Sequence, residues 1–363
     1  MATSATRSVP SRWPLVGLLR VAVANERSQN RARALLCAAL AACVAPAAAH
    51  HSAALFDTTR NVAVEGIVTQ YDWRNPHVYI TLRVADAGGK ERQQLIEAGA
   101  SSVLLPLGLA PSSVVVGERV TVRGNPAKSA TATAVLGREL VKADGSVLPL
   151  NIGSAASRKA PADAVATSLA GTWLPRRAEF GGFSAPRNWS LTEQGRAAAA
   201  AFRPATTAYV DCIPVTAPTL MLYPVASVVE VAKDVVKFHV DWMASERVVY
   251  LDGRGHPADG TPSLQGHAIG HWEGATLVVD TAQFSEHKQG NSMSLPSGPR
   301  KHLVERFTLS DDRKHVRYDT VLEDPDYVTA PVTYSAEWDY RPDLAPSGLE
   351  CDLDAARRFL KEE

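Results

Sequence analysis

The sequence predicts an all-β protein built from two barrels. Short runs in which apolar and polar residues alternate recur along the chain, glycine, proline and aspartate separate these runs, and few stretches have the composition of a helix. The chain has 363 residues, a length typical of two domains. Because 45% of the residues are hydrophobic and 21% are charged, we expect folded cores rather than disorder.

Residues 1–49 have the pattern of a signal peptide. Arginines dominate the start, an apolar run follows from Ala34 to Val44, and Ala47-Ala48-Ala49 before His50 offers a cleavage site. The apolar run is too short to cross a bilayer as a helix. We therefore expect a periplasmic or secreted protein that begins at His50.

A second processing route is also compatible with this segment. The residues Leu40-Ala41-Ala42-Cys43 resemble a bacterial lipobox, which would place a lipid on Cys43. The protein would then be anchored to a membrane. A membrane contact is expected in that case alone.

The charge balance argues against a nucleic-acid partner. The chain has 38 Lys and Arg residues against 38 Asp and Glu residues, a net charge of 0. Removing residues 1–49 takes away six arginines and one glutamate, which leaves 32 basic and 37 acidic residues and a net charge of −5. Since a mildly acidic protein does not attract phosphate backbones, we expect a small-molecule ligand and no nucleic acid.

Residues 50–150 predict a small barrel. In His77–Val84 apolar residues alternate with others, as in a half-buried strand. Val62–Val68 and Gly117–Gly124 indicate further strands, and Ser102–Leu109 a short helix across one end. About five strands with one helix fit a barrel of the oligonucleotide/oligosaccharide-binding (OB) type.

Residues 151–168 indicate a linker, because they are rich in small residues and lack periodicity.

Residues 169–363 predict an up-and-down antiparallel barrel with a central cavity. Two short helices are expected within this second domain, at Thr192–Ala201 and Asp352–Lys361. The predicted strands are Ser227–Ala232, Val235–Trp242, Arg247–Leu251, Ala268–Trp272, Thr276–Asp280, His302–Leu309, His315–Leu322 and Thr333–Tyr340.

The first half resembles a family of uncharacterised exported bacterial proteins. The resemblance covers most of residues 49–150. It rests on Ala49-His50-His51-Ser52, Phe56-Asp57, Gly66-Ile67-Val68, Trp73-Arg74-Asn75-Pro76-His77 and Gly117-Glu118-Arg119-Val120-Thr121-Val122.

The second half is similar to another uncharacterised exported family. The motifs are Asp252-Gly253-Arg254-Gly255-His256-Pro257, Gly266-His267-Ala268-Ile269-Gly270-His271-Trp272-Glu273-Gly274-Ala275-Thr276-Leu277-Val278-Val279-Asp280, Val304-Glu305-Arg306-Phe307 and Asp324-Pro325. The chain departs from the family pattern in having His271 in place of arginine and Ala275 in place of aspartate. Lipocalin-like barrels are the nearest fold, and Leu169-Ala170-Gly171-Thr172-Trp173 resembles their Gly-x-Trp start. Neither resemblance implies a reaction.

Two cysteines predict a disulfide. Cys37 and Cys43 precede the folded region, which leaves Cys212 and Cys351 in a chain that enters an oxidising compartment. A bridge between them would close most of the second domain. On the loop-entropy model it would contribute on the order of 4 kcal/mol.

The mature N-terminus predicts a copper site as an alternative function. If the chain begins at His50, its free amine and imidazole can chelate Cu(II), and His51 or His77 can complete the site. Lipidation at Cys43 would exclude this arrangement. Otherwise His50 and His51 are a solvated strand start, and His77 packs where a strand begins.

His267 and His271 are candidate acid–base residues. Their spacing would suit a zinc pair on a helix, but Gly266 and Gly270 favour a strand, where the two side chains share one face about 13 Å apart. Glu305 alternates in phase with apolar residues, so burial would raise the pKa of its carboxyl. An inward-facing set would suit a cofactor-independent lyase or isomerase. A structural ion pair is the alternative for Glu305, with Arg254 or Arg306.

The main expectation is a binding protein that holds a small apolar or amphipathic molecule inside the second barrel. Trp272 and Trp338 are candidates for the lining of the cavity, and Arg254 and His256 for polar contacts, although turns also favour such residues. The chain has no G-x-S-x-G, Gly-x-x-x-x-Gly-Lys, H-E-x-x-H or C-x-x-C motif. Hydrolase, nucleotide-binding and thiol-redox functions are therefore not predicted.

Overall fold

A computed structural model describes residues 55–86, 88–129, 133–152, 159–177, 188–203 and 207–358. Strands dominate these residues and form two closed barrels, which confirms the predicted all-β class. The predicted signal peptide lies outside the described residues. None of the described helices is long and apolar enough to cross a membrane.

The first barrel closes through five strands in the order β1-β2-β3-β5-β4. Strands β3 and β5 are parallel, and the other neighbours are antiparallel. A short helix, α1 (Ser101–Leu104), lies between β3 and β4, and β6 extends the sheet beyond β5. The strands are β1 (Val62–Asp72), β2 (Tyr79–Ala85), β3 (Glu91–Glu97), β4 (Arg119–Pro126), β5 (Val135–Lys142) and β6 (Val147–Pro149).

Alternation along β2 builds the core of this barrel. Ile80, Leu82 and Val84 are buried, and Arg83 between the last two is exposed, as the period-two pattern predicts. Val120 and Val122 of β4 join the same apolar cluster. Full burial of such a side chain contributes ~1.5–3 kcal/mol.

The second barrel has nine strands. Eight correspond to the predicted strands, and the ninth, β7, contains the Gly-x-Trp segment. The hairpin of β13 and β14 forms a separate two-stranded sheet. The strands are β7 (Gly171–Pro175), β8 (Ser227–Val231), β9 (Val235–Val240), β10 (Ser245–Tyr250), β11 (His267–Glu273), β12 (Thr276–Ala282), β13 (His287–Ser292), β14 (Leu295–Ser297), β15 (His302–Leu309), β16 (His315–Glu323) and β17 (Val332–Tyr340).

One pair of neighbours departs from the predicted antiparallel pattern. Strands β10 and β11 are parallel, with Val249 opposite Ala268. Parallel neighbours cannot be joined by a hairpin, since the chain must return to the starting end of the sheet. The connection from Leu251 to Gly266 makes this return.

Aromatic rings pack in the interior of the second barrel. Trp173, Trp338, Phe238, Phe307 and Tyr318 are fully buried. The centroid of the Phe307 ring lies 4.9 Å from that of Phe238, 5.0 Å from that of Tyr318 and 5.4 Å from that of Trp338. These side chains occupy the space in which the sequence predicts a central cavity.

Both helices predicted for the second domain form, each with its cap. Helix α2 (Glu193–Ala201) begins after Thr192, whose Oγ1 accepts a hydrogen bond from the Gly195 N–H at 2.9 Å. Helix α3 (Leu353–Ala356) is capped by Asp352 in the same way and is shorter than predicted. Residues 359–363 lie outside the described part of the chain.

The C-terminal segment contacts the first barrel. The predicted disulfide between Cys212 and Cys351 is present and fixes this segment to the second barrel. From there Asp352 pairs with Arg74 at 2.6 Å, and the hydroxyl of Tyr79 donates to the carbonyl of Ala355 at 3.1 Å. The bridge therefore stabilises a segment that both barrels contact.

Candidate functional site

A cleft of about 550 Å³ lies beside the second barrel, between helix α2 and the β13–β14 hairpin. One part of its lining is apolar and consists of Ala198, Ala201, Phe202, Pro296 and Tyr327. The rest of the lining is polar and comes from Thr207 and from the region of the hairpin, including the charged Glu286 and Lys288. A volume of this size is typical of sites for small molecules.

Close packing of α2 builds the apolar wall. A Cβ on Gly195 would lie 2.3 Å from the carbonyl oxygen of Tyr327, so only glycine allows the helix to approach this segment. Thr192 adds a hydrogen bond from Oγ1 to the Asp326 carbonyl at 2.8 Å. The alanines of α2 then present small side chains to the cleft.

The hairpin forms a wall of buried polar side chains. Gln289 accepts from the Ala208 N–H and donates to the Met293 carbonyl, both at 2.9 Å. Asn291 donates to Oδ2 of Asp324 at 2.7 Å. These bonds satisfy both ends of the Gln289 amide and the NH₂ group of Asn291, whose Oδ1 makes no hydrogen bond to the described residues.

Lys301 supports the hairpin from behind. This lysine is almost fully buried, and its Nζ donates to Oγ1 of Thr216 at 2.8 Å, to the Ala217 carbonyl at 2.5 Å and to the Gly290 carbonyl. Burial lowers the pKa of Lys301 to about 7. Because these bonds engage the ammonium group, its role is to hold the wall in place.

His287 lies in the wall of the cleft, with 7% of its surface exposed. Its Nδ1 accepts a hydrogen bond from the Gln289 N–H at 2.9 Å, so the neutral ring carries its proton on Nε2. Burial, and then the charge of Lys301, lower the pKa of His287 to about 4. The imidazole is therefore neutral at neutral pH.

Three buried polar atoms of the cleft lining make no hydrogen bond of ordinary geometry within the described residues. They are Nε2 of His287, Oγ of Ser297 and Oγ1 of Thr207. Buried polar groups normally have partners. Each belongs to a residue of the cleft lining, and the backbone of Pro214 also acts on the His287 ring by raising its pKa against the effect of burial.

Sequence reasoning did not identify this cleft. The stretch from His287 to Ser297 has neither the alternation of a strand nor the spacing of a known motif. Its polar side chains resemble those of a solvated loop. Burial alone distinguishes them, and burial depends on residues far away in the chain.

Three of the predicted site residues meet on the outer face of the second barrel. Because the segment from Leu251 to Gly266 crosses outside the sheet, it brings His256 against β11 and β12. Nδ1 of His256 lies 2.9 Å from Nδ1 of His267, and its Nε2 lies 2.9 Å from Oδ1 of Asp280. Arg254 lies nearby, with its guanidinium carbon 4.0 Å from the ring centroid of Tyr250.

The hydrogen-bond network assigns a proton to each of these histidines. Oδ1 of Asp280 also lies 3.0 Å from Nε2 of His302, so it accepts from both His256 and His302. Nδ1 of His256 then accepts from the Nδ1–H of His267. This leaves a lone pair on Nε2 of His267.

The pKa values in this network agree with the assignment. Burial raises the pKa of Asp280, but the hydrogen bonds from His256 and His302 outweigh it and the net change is downward. Burial, and then the neighbouring His256 and Arg254, lower the pKa of His267. His267 can therefore act as a base with a fixed tautomer.

The predicted catalytic set His267, His271 and Glu305 does not form one site. His267 and His271 share one face, as predicted, but it is the outer face rather than the inward one that the catalytic hypothesis requires. His271 is exposed beside Glu273, with Nε2 of His271 3.2 Å from Oε1 of Glu273. Glu305 faces the barrel interior and is fully buried. Its ion-pair partner is Arg247, with Nη1 of Arg247 2.9 Å from Oε1 of Glu305.

The other candidates are also dispersed. Of the predicted ligand contacts, Trp338 is fully buried in the interior of the barrel and Trp272 is 40% exposed. Nδ1 of His77 lies 3.3 Å from the Ala98 carbonyl and 3.5 Å from Oε1 of Glu97. His50 and His51 lie outside the described residues, within which no group of three or more His, Cys, Asp or Glu side chains could hold a metal ion.

Comparison with known proteins gives a family match without an activity. No curated protein matches the chain. The part of the chain that matches a family model ends at residue 136, within β5, and does not include the second barrel. Over residues 37–136, the chain is similar to a family of unknown function, DUF6152.

Proposed function

We propose that this protein is an exported binding protein whose cleft beside the second barrel holds a small amphipathic molecule. The observation that carries the proposal is the pairing of two walls. The apolar wall contains Ala198, Ala201 and Phe202, and the polar wall contains three buried atoms that make no hydrogen bond to the described residues. Such a lining matches a molecule with an apolar body and a polar end.

The proposal places the ligand in the cleft rather than in the barrel interior. A ligand at the centre of the barrel would have to displace packed rings such as those of Phe307 and Trp338. Exposing one such side chain costs ~1.5–3 kcal/mol. The cleft needs no such rearrangement.

A variant that fills the cleft tests the proposal. Ala198→Trp adds a ring to the apolar wall, whereas Ala200→Trp adds the same ring to an exposed position of α2 that does not line the cleft. We expect Ala198→Trp to weaken binding of Nile red, an uncharged fluorescent probe of apolar sites, by about tenfold or more. The Ala200→Trp variant should bind as the wild type does.

Two outcomes would count against the proposal. One is equal binding of Nile red by both variants. The other concerns a ligand that co-purifies with the mature protein from its own periplasm and is detected by native mass spectrometry. If the Ala198→Trp variant retains this ligand as the wild type does, the ligand does not occupy the cleft.

Acid–base chemistry at His267 is a second candidate function. The observation that favours it is the hydrogen-bonded series Asp280, His256 and His267, in which the tautomer of His267 is fixed. Diethyl pyrocarbonate, which acylates unprotonated imidazole, should modify Nε2 of His267 with a midpoint below pH 6.5. A midpoint at or above pH 6.5 would contradict this role.

Copper binding at the mature N-terminus is a third and independent proposal. It depends on His50 and His51, and on His77, whose ring lies beside the buried carboxylate of Glu97. Intact mass should give a start at His50, and copper titration should weaken in His77→Ala but not in His239→Ala. A lipidated start at Cys43 would end this proposal.

A further inference from the structure

The buried wall of the cleft offers neutral hydrogen-bonding groups. Nε2 of His287 is a donor, because its Nδ1 already accepts from the Gln289 N–H. The hydroxyls of Ser297 and Thr207, each in a residue that is 1% exposed, can donate and accept. None of these three unpartnered groups carries a charge when the imidazole is neutral.

The charged groups near the cleft are either exposed at its rim or engaged behind the hairpin. Glu286 and Lys288, which have opposite signs, are exposed at the rim. Behind the hairpin, three oxygens engage the ammonium of Lys301. Oδ2 of Asp324 accepts from Asn291 and from the Gly298 N–H at 2.9 Å.

Arg300 and Asp326 form a further ion pair near the cleft, with Nη2 of Arg300 2.5 Å from Oδ1 of Asp326. Beside His287, Ser297 and Thr207 a carboxylate would therefore find donors but no buried cation of the lining. An ammonium group would find no buried carboxylate of the lining there. Burying either ion without a counter-charge is unfavourable.

We infer that the ligand of the cleft has an uncharged oxygen head group, such as an alcohol, an ester or an amide, joined to an apolar body. This inference rests on the proposed function and specifies its ligand class. The head oxygen accepts from Nε2 of His287 and bonds to the hydroxyls of Ser297 and Thr207. The body lies on α2 and Pro296.

The close approach of the two hairpin strands makes the wall rigid. A Cβ on Gly290 would lie 1.8 Å from Oγ of Ser297. The absence of a side chain at Gly290 therefore leaves room for the Ser297 hydroxyl beside β13. A rigid set of donors discriminates between head groups better than mobile side chains do.

Calorimetric titration of the mature protein with a matched series tests the inference. The series is decanol, decanamide, decanoate and decylamine, which share an apolar chain and differ in the charge of the head. At neutral pH, below the micellar concentrations, we expect decanol and decanamide to bind about tenfold or more tightly than the two ions.

The possible outcomes separate the inference from the proposed function. Equal affinity for all four compounds, or a preference for decanoate or decylamine, would overturn the inference and leave the binding function standing. No binding of any of them, together with no binding of Nile red, would overturn both. A preference for the neutral pair supports both.

Variants of the wall provide the matched control. Ser297→Ala removes a hydroxyl that has no partner to lose, so the fold should tolerate it. We expect it to reduce affinity for decanol several-fold and to leave affinity for decanoate unchanged. Lys233→Gln, at an exposed position between β8 and β9 that does not line the cleft, should alter neither. If Ser297→Ala and Thr207→Ala both bind decanol as the wild type does, the head group does not contact this wall and the inference is wrong.

Discussion

Replacement of Glu305 by glutamine tests whether this carboxylate is structural. Glu305 and Arg247 are 0% and 1% exposed and form a two-pronged ion pair, and the Tyr318 hydroxyl donates to the same carboxylate at 2.7 Å. Glu305→Gln keeps the shape but leaves the guanidinium without a counter-charge. Breaking a buried pair in this way costs about 3–5 kcal/mol. We therefore expect a loss of that size in the free energy of unfolding.

Urea unfolding followed by tryptophan fluorescence and circular dichroism measures this loss, with the slope checked for two-state behaviour. Glu273→Gln removes the exposed partner of Arg306 and should cost less than about 1 kcal/mol. The double variant Arg247→Met with Glu305→Leu should recover most of the stability, because no charge is left buried. A cost below about 1 kcal/mol for Glu305→Gln, or a double variant no more stable than the single one, would refute the reasoning.

Three further predictions concern the cleft and the disulfide. Since burial and Lys301 lower the pKa of His287 to about 4, the unfolded chain binds more protons between about pH 6.5 and 4, and the free energy of unfolding should fall by roughly 3 kcal/mol as the pH drops through that range. Urea midpoints across this range should show a smaller fall in His287→Gln, and equal falls would contradict the assignment. Cys212→Ser should destabilise by about 5 kcal/mol on the loop-entropy model, because the bridge spans 139 residues. A melting temperature equal to that of the oxidised wild type would contradict it. Gly290→Ala should lower the melting temperature, and a second change, Ser297→Gly, should restore it by removing the clash.

Much of the fold could be predicted from local patterns in the sequence. The alternation of Ile80, Leu82 and Val84 places them in the core, since side chains of a strand point to opposite faces in turn. The cap at Thr192 and the helix after it follow from local hydrogen bonding. The pairing of Cys212 with Cys351 follows from the count of cysteines left after the leader. Each of these features depends on residues near one another in the sequence or on simple elimination.

The candidate site was only partly predictable. The sequence selects Arg254, His256 and His267, and the structure brings them together. It does not select Asp280 or His302 as their partners. Those contacts exist because β10 and β11 are parallel, which sends the connecting segment across the outside of the sheet.

The all-β class, the two barrels, the caps and the disulfide could be predicted from the sequence, because strand alternation, turn residues and cysteine number are local or countable properties. The burial of polar residues depends on packing between segments that are distant in the chain. His287 and Lys301 look like ordinary surface groups in the sequence, and each is nearly inaccessible in the fold. Burial comes from segments distant in the chain, so the cleft, its neutral wall and the ion pair inside the barrel appear only once these segments are packed together.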